Sequence, residues 1–141
     1  MKKLAVAVSR AELLNVYSEH RLIRGLLGRL EHADDEQVRF DLLVELDDAF
    51  YSHSEVELEI LKKTAPDDPN SFVKADQRQH FATADLLLQL RDLRLSNEMF
   101  RVKASLLHKY MSEHMAVEEH YLRSRMDPPL QRKPHALAFP T

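Results

Sequence analysis

The chain has 141 residues, of which 30% are charged, with a formal net charge of −3 at pH 7. This length suits one domain with its own core and is short for two. The mixed charge offers no basic surface for nucleic acid. The absence of cysteine excludes disulfides, zinc–thiolate sites and iron–sulfur clusters, so any metal ligands must be nitrogen or oxygen atoms.

The amino-terminal stretch MKKLAVAV does not fit a secretory signal. Its apolar run is shorter than the roughly 7–15 residues that such a signal needs, and Arg10 and Glu12 follow closely. No stretch approaches the ~20 apolar residues of a membrane span. We therefore expect a cytoplasmic protein with no membrane contact.

The first helix is predicted to begin at Arg10, because Ser9 and Glu12 form an S-x-x-E capping box. Its pattern lapses between His32 and Asp35. Residues recur on one face at intervals of three and four, which is typical of a bundle helix. That face comprises Leu13, Val16, Tyr17, His20, Ile23, Leu27 and Leu30.

The second helix is predicted from about Glu36 to Lys63, since the prolines and aspartates of the stretch APDDPN, residues 65–70, favour a turn. Its predicted buried face comprises Phe40, Leu43, Leu46, Phe50, His53, Glu57 and Ile60.

The third helix is predicted from about Ser71 to Leu93, and it has the least regular pattern because its second buried position is either Asp76 or Gln77. Its remaining face comprises Val73, His80, Ala84, Leu87 and Arg91. Ser96 or Asn97 caps the fourth helix, which is predicted to reach about Arg125. Its face comprises Phe100, Lys103, Leu107, Tyr110, His114, Glu118 and Tyr121.

Four long helices joined by short turns predict an all-α protein, an up-down-up-down four-helix bundle formed by residues 1–126. Residues 127–141 form an irregular C-terminal tail in this prediction. The tail carries a short apolar patch at 137–139 and is either disordered or packed on the bundle.

Each predicted helix carries one histidine on its buried face: His20, His53, His80 and His114. Two of the four stand four residues before a glutamate, as His53–Glu57 and His114–Glu118. This spacing puts both side chains on one helix face, where they can reach a common metal ion.

The other four histidines are predicted to lie away from these faces. His108 and His120 are each six residues from His114, about 120° short of two full helical turns. His32 falls in a turn and His135 in the tail.

Burying four imidazoles and two carboxylates without compensation would be unfavourable, at about 1–3 kcal/mol for each unpaired polar group. A pair of divalent cations removes this penalty by accepting all six groups as ligands. The axial levels of His53, His80 and His114 agree within a few residues. His20 is expected to lie roughly 10 Å off that level along the axis.

The ordered set H…HxxxE…H…HxxxE on successive helices resembles the hemerythrin-like family, also called HHE cation-binding domains. By this resemblance, His20, His53, His80 and His114 would be terminal ligands, and Glu57 and Glu118 would bridge two irons. The respiratory hemerythrins carry a further histidine where this chain has Ala84, and their fourth-helix carboxylate comes five residues after its histidine, where Glu119 stands. The chain is thus more similar to the bacterial branch, with a coordination position left for water, O2, NO or peroxide.

The resemblance implies a non-haem di-iron protein that binds or senses O2, NO or iron. The alternative is a di-iron enzyme, an oxidase, peroxidase or damage-repair protein, that uses the same centre. A third hypothesis is that the bundle binds no metal and acts through contacts with other proteins. Manganese or zinc can replace iron with these ligands, and association into a homodimer stays open. Four further side chains lie near the predicted ligands and either have a structural role only or form hydrogen bonds or ion pairs with the site: Tyr17, Tyr110, Tyr121 and Arg24.

Overall fold

Four α-helices make up the computed structural model of the protein, which describes residues 5–64 and 72–127. They are α1 (Arg10–His32), α2 (Glu36–Thr64), α3 (Phe72–Leu90) and α4 (Asn97–Ser124). Helices adjacent in sequence pack together, and α4 also packs against α1. The predicted four-helix bundle is confirmed, while the predicted tail after residue 127 lies outside the described residues.

The helix starts follow the predicted caps. Ser9 and Glu12 form the complete capping box of α1, and the Ser96 side chain accepts a hydrogen bond from the backbone nitrogen of Met99 at the start of α4. The third helix ends at Leu90, three residues before the predicted end. The reason is a local turn, in which the Asp92 carboxylate accepts a hydrogen bond from the backbone nitrogen of Arg94.

Two apolar clusters fill the bundle, one on each side of a polar layer. The larger cluster includes Ile23, Phe50 and Met115, and the smaller one includes Val16 and Ile60. In α1, α2 and α3 the predicted metal-ligand residues lie between the segments that supply these two clusters. In α4, Glu118 lies between them and His114 directly precedes Met115 of the larger cluster. The layer is thereby enclosed along the bundle axis by hydrophobic side chains, which exclude water from it.

The residues before α1 close the end of the bundle at the smaller cluster. The backbone nitrogen of Val6 donates to the carbonyl of Lys63, and that of Val8 donates to the carbonyl of Arg125. Val8 is buried against this cluster. The sequence did not predict this packing, because the short apolar run has no helical period.

Three predicted core positions are wrong, because Phe40, Ala84 and Arg91 are exposed. Phe40 is 58% exposed, because its neighbour Arg39 occupies the inner position, where its guanidinium lies over the Phe100 ring and donates to the carbonyl of Ala33. In α3 the inner face runs through Asp76, His80, Thr83 and Leu87, at intervals of four, three and four. Ala84 is consequently exposed.

No helix within the described ranges is both long enough and apolar enough to cross a membrane.

Candidate metal centre

The structure brings all six predicted ligand residues together in the polar layer. The side chains of His20, Glu57 and Glu118 are fully buried, and those of His53 and His114 are nearly so. His80 is the most accessible of the six, with 14% of its side chain exposed. The layer therefore lies inside the bundle and comes closest to solvent beside α3.

One group of donor atoms lies between α1, α2 and α4. It consists of His20, His53, Glu57 and Glu118, whose donor atoms all lie within 4.8 Å of one another. The Nε2 atoms of His20 and His53 are 3.1 Å apart. Both imidazoles thus direct the same ring nitrogen toward one point, as histidines that share a metal ion do.

A second group lies between α2, α3 and α4. It consists of Glu57, Asp76, His80, His114 and Glu118, whose donor atoms also lie within 4.8 Å of one another. Oδ1 of Asp76 lies 3.1 Å from Nε2 of His114, and Oδ2 lies 3.4 Å from Nε2 of His80. Each group offers both nitrogen and oxygen donors.

The two groups share the carboxylates of Glu57 and Glu118. Glu118 places Oε1 3.1 Å from Nε2 of His20 and Oε2 2.8 Å from Nε2 of His114. Glu57 places Oε2 2.9 Å from Nε2 of His53 and Oε1 3.7 Å from Nε2 of His80. Each carboxylate therefore gives one oxygen to each group, so that Glu57 and Glu118 connect the two groups.

Several donor atoms in the layer lie close to one another without forming hydrogen bonds. Within the described ranges, no hydrogen bond reaches either carboxylate oxygen of Glu57, Oδ1 of Asp76 or Nε2 of His114, and all four atoms are buried. Buried polar atoms are normally hydrogen-bonded, so unpaired ones call for an explanation. Converging imidazole and carboxylate donors fit a divalent cation, which would satisfy these atoms.

A ring of outer contacts orients three of the imidazoles through their second nitrogen. Nδ1 of His20 lies 2.6 Å from Oε2 of Glu119, and Nδ1 of His53 lies 3.3 Å from Oε1 of Glu19. Nδ1 of His114 contacts the Gln79 amide oxygen. Metal-binding histidines are commonly held in this way. Glu119 thus contacts His20 from outside the donor groups, whereas Glu118 belongs to both groups.

The carboxylates change the protonation of the buried imidazoles. Burial alone would lower the pKa of His20, but contacts with Glu118 and two further glutamates outweigh burial and raise the pKa to about 9. The same competition raises the pKa of His53 to about 12. Metal ions that bind here must therefore displace protons from these rings.

The pKa values of two carboxylates in the layer, Asp76 and Glu118, shift in opposite directions. Burial, reinforced by the neighbouring Glu118 and Glu57, raises the pKa of Asp76 to about 12. Burial would also raise the pKa of Glu118, but its contacts with Glu57 and the surrounding imidazoles outweigh burial and hold that pKa well below its usual range. Of these two carboxylates, Glu118 is therefore the one that carries the negative charge in the absence of metal.

Asp76 is the ligand candidate that the sequence analysis missed. The helical pattern predicts only that Asp76 or Gln77 lies on the inner face of α3, although Asp76 stands four residues before His80. This D-x-x-x-H spacing is the reverse of the two H-x-x-x-E units and places both side chains on one helix face. A search for either order would have found it.

The expected displacement of His20 along the axis does not occur. Ala33, which ends α1, has extended backbone angles. An extended residue adds about 3.3–3.6 Å, so Ala33 carries the chain past the end of α1 before α2 begins at Glu36.

The remaining polar candidates lie outside the two donor groups. His108 contacts Glu31, His120 is exposed, and the Tyr17 hydroxyl contacts Arg123. None of these three residues contributes a donor atom to either group. His32, which was predicted to lie in a turn, is the last residue of α1, where its Nδ1 contacts the carbonyl of Gly28. The predicted tail position of His135 lies outside the described residues.

Two other residues stand next to the layer. The Tyr121 ring stacks on Phe72 at a centroid distance of 4.0 Å, and its buried hydroxyl forms no hydrogen bond with the part of the chain that the structure describes. Arg24 lies 3.2 Å from the Glu119 carboxylate, and it therefore belongs to the outer ring around His20. Tyr110 is half-buried.

Comparison of the chain with protein-family models, with curated proteins and with solved structures finds no match.

Proposed function

We propose that the protein is a hemerythrin-like, non-haem di-iron protein that binds or senses O2, NO or iron inside the bundle. The observation that carries this proposal is the pair of shared carboxylates, Glu57 and Glu118, each with one oxygen in each donor group. Two groups joined in this way support a pair of ions better than one isolated ion.

The residues of the chain would hold and shield such a pair. Four imidazoles would hold the ions at opposite ends of the two bridges, and the outer contacts of Glu119, Glu19 and Gln79 would fix the ring orientations. The apolar clusters above and below would keep bulk water away. The bound irons would supply open coordination positions and a change of oxidation state.

The donor set favours iron or manganese. Imidazole and carboxylate ligands without thiolate are compatible with zinc, manganese and iron. A single zinc ion normally takes four ligands, which would leave donors of the other group unused. Two ions would use the donors of both groups, and two iron ions would also bind O2 or NO.

The test is anaerobic reconstitution of the metal-free protein with ferrous iron, followed by metal counting. We expect close to two irons per chain, and optical spectra that change when O2 or NO is added. A His108→Ala variant serves as the matched control and should load equally. A folded protein that reproducibly retains no iron would overturn the proposal, and one iron per chain would exclude the bridged pair.

A further inference from the structure

The two donor groups differ in number and in charge. The group of His20 and His53 has four donors when one oxygen of each shared glutamate is included. The group of His80 and His114 has five, because Asp76 belongs to it alone. The second group therefore offers one more ligand atom and one more formal negative charge than the first.

No lysine or arginine in the described ranges pairs with the buried carboxylate of Asp76. It is 3% exposed, and its ion-pair contacts there are with the imidazoles of His80 and His114. Its Oδ1 atom accepts no hydrogen bond from any described residue. A carboxylate buried near two others without a lysine or arginine is strongly unfavourable unless it is protonated or binds a cation.

The surroundings of the first group are different. Nδ1 of His20 and Nδ1 of His53 each contact an outer glutamate, Glu119 and Glu19 respectively. Negative charge therefore reaches these two imidazoles from outside the donor group. The second group has its additional carboxylate among the donors, where that carboxylate can bind an ion directly.

We propose that the two positions fill in order: the position of Asp76, His80 and His114 takes the first divalent ion, and the position of His20 and His53 takes the second. Asp76 is the residue that sets this order. The inference rests on the proposed two-metal function. Its consequence is a stable one-metal state, in which the position beside α1 stays open to a second ion of the same or another kind.

The test is a titration of the metal-free full-length chain with zinc ions, a diamagnetic probe, followed by NMR of the histidine side chains. Resonances are assigned with single His→Gln variants. During the first equivalent, signals of His80 and His114 should move to their final positions. Signals of His20 and His53 should move during the second equivalent.

Asp76→Asn should remove the order, because it keeps the shape of the side chain but removes its charge. Loss of outer contacts alone weakens metal binding about 10–100-fold, so loss of a direct ligand should weaken the first step by at least about tenfold. Asp85→Asn, at an exposed position of the same helix, is the matched control and should keep the order.

The possible outcomes separate this inference from the proposed function. Four histidine signals that move in parallel, or His20 and His53 moving first, would overturn the filling order while two bound ions would still support the metal pair. A chain that binds no metal would overturn both. If Asp76→Asn does not fold, as judged by circular dichroism, the wild-type titration alone decides the order.

Discussion

Oε2 of Glu119 lies 2.6 Å from Nδ1 of His20, while Nε2 of the same ring faces His53 and Glu118. The same oxygen lies 3.2 Å from Nη1 of Arg24. His20 is therefore held in orientation by a glutamate that is itself held by an arginine. Such outer contacts position a ligand ring and increase its basicity.

Glu119→Gln should weaken metal binding by about 10–100-fold without abolishing it, because the donor atoms themselves remain. Competition with a chelator of known affinity measures this change. Glu113→Gln, at an exposed position of α4, should leave the affinity unchanged. Complete loss of metal in Glu119→Gln would instead mean that Glu119 is a direct ligand.

Substitution of individual histidines should separate ligands from surface residues. His53→Ala and His114→Ala should lose most of the bound metal, since each removes a nitrogen donor from one group. His108→Ala and His120→Ala should retain it. Metal analysis after gel filtration measures the difference. Retention by His114→Ala together with loss by His120→Ala would contradict the orientation of α4.

The bridging carboxylates should matter for metal binding more than for folding. Glu57→Leu combined with Glu118→Leu should abolish metal binding yet melt no lower than the metal-free wild type, because apolar packing replaces buried charge. Thermal unfolding in the presence of a chelator measures this. The matched pair Glu57→Gln with Glu118→Gln keeps polar groups in the layer and should melt lower than the leucine pair. A leucine pair that is far less stable than the metal-free wild type would show that the carboxylates hold the bundle together by themselves.

Glu12 provides a pH-dependent contribution to stability. Burial alone would raise its pKa, but the ion pair with Lys63 and hydrogen bonds with Ser9 outweigh burial and lower it from 4.5. A lowered folded-state pKa stabilises the protein above the unfolded-state value, and this stabilisation disappears as the pH falls through the folded-state pKa.

Glu12→Gln should accordingly reduce the free energy of unfolding at pH 7 by about 0.5–1.5 kcal/mol, the usual contribution of a hydrogen bond. The difference from wild type should shrink as the pH falls below 4.5. Urea unfolding of metal-free protein at several pH values measures both effects. Glu55→Gln, at an exposed position of α2, should show no comparable pH dependence. A difference that stays constant down to pH 3 would exclude ionisation of Glu12 as its cause.

The sequence alone was sufficient for the four helices, the order of the bundle and the six predicted residues of the polar layer. These follow from local rules: a capping serine such as Ser9 begins a helix, and a spacing of four aligns His53 with Glu57 on one face. Such relations are contained within a single helix, and its period fixes them before any packing occurs.

The tertiary structure decided which polar residues enter the layer from different helices. Asp76 became a donor because the inner face of α3 passes through Thr83, and not through Ala84, so that the aspartate faces the same point as His80 and His114. Glu119 reaches His20 across 99 residues of sequence. Helical periodicity cannot supply such contacts, because they depend on the rotation and axial position of one helix relative to another.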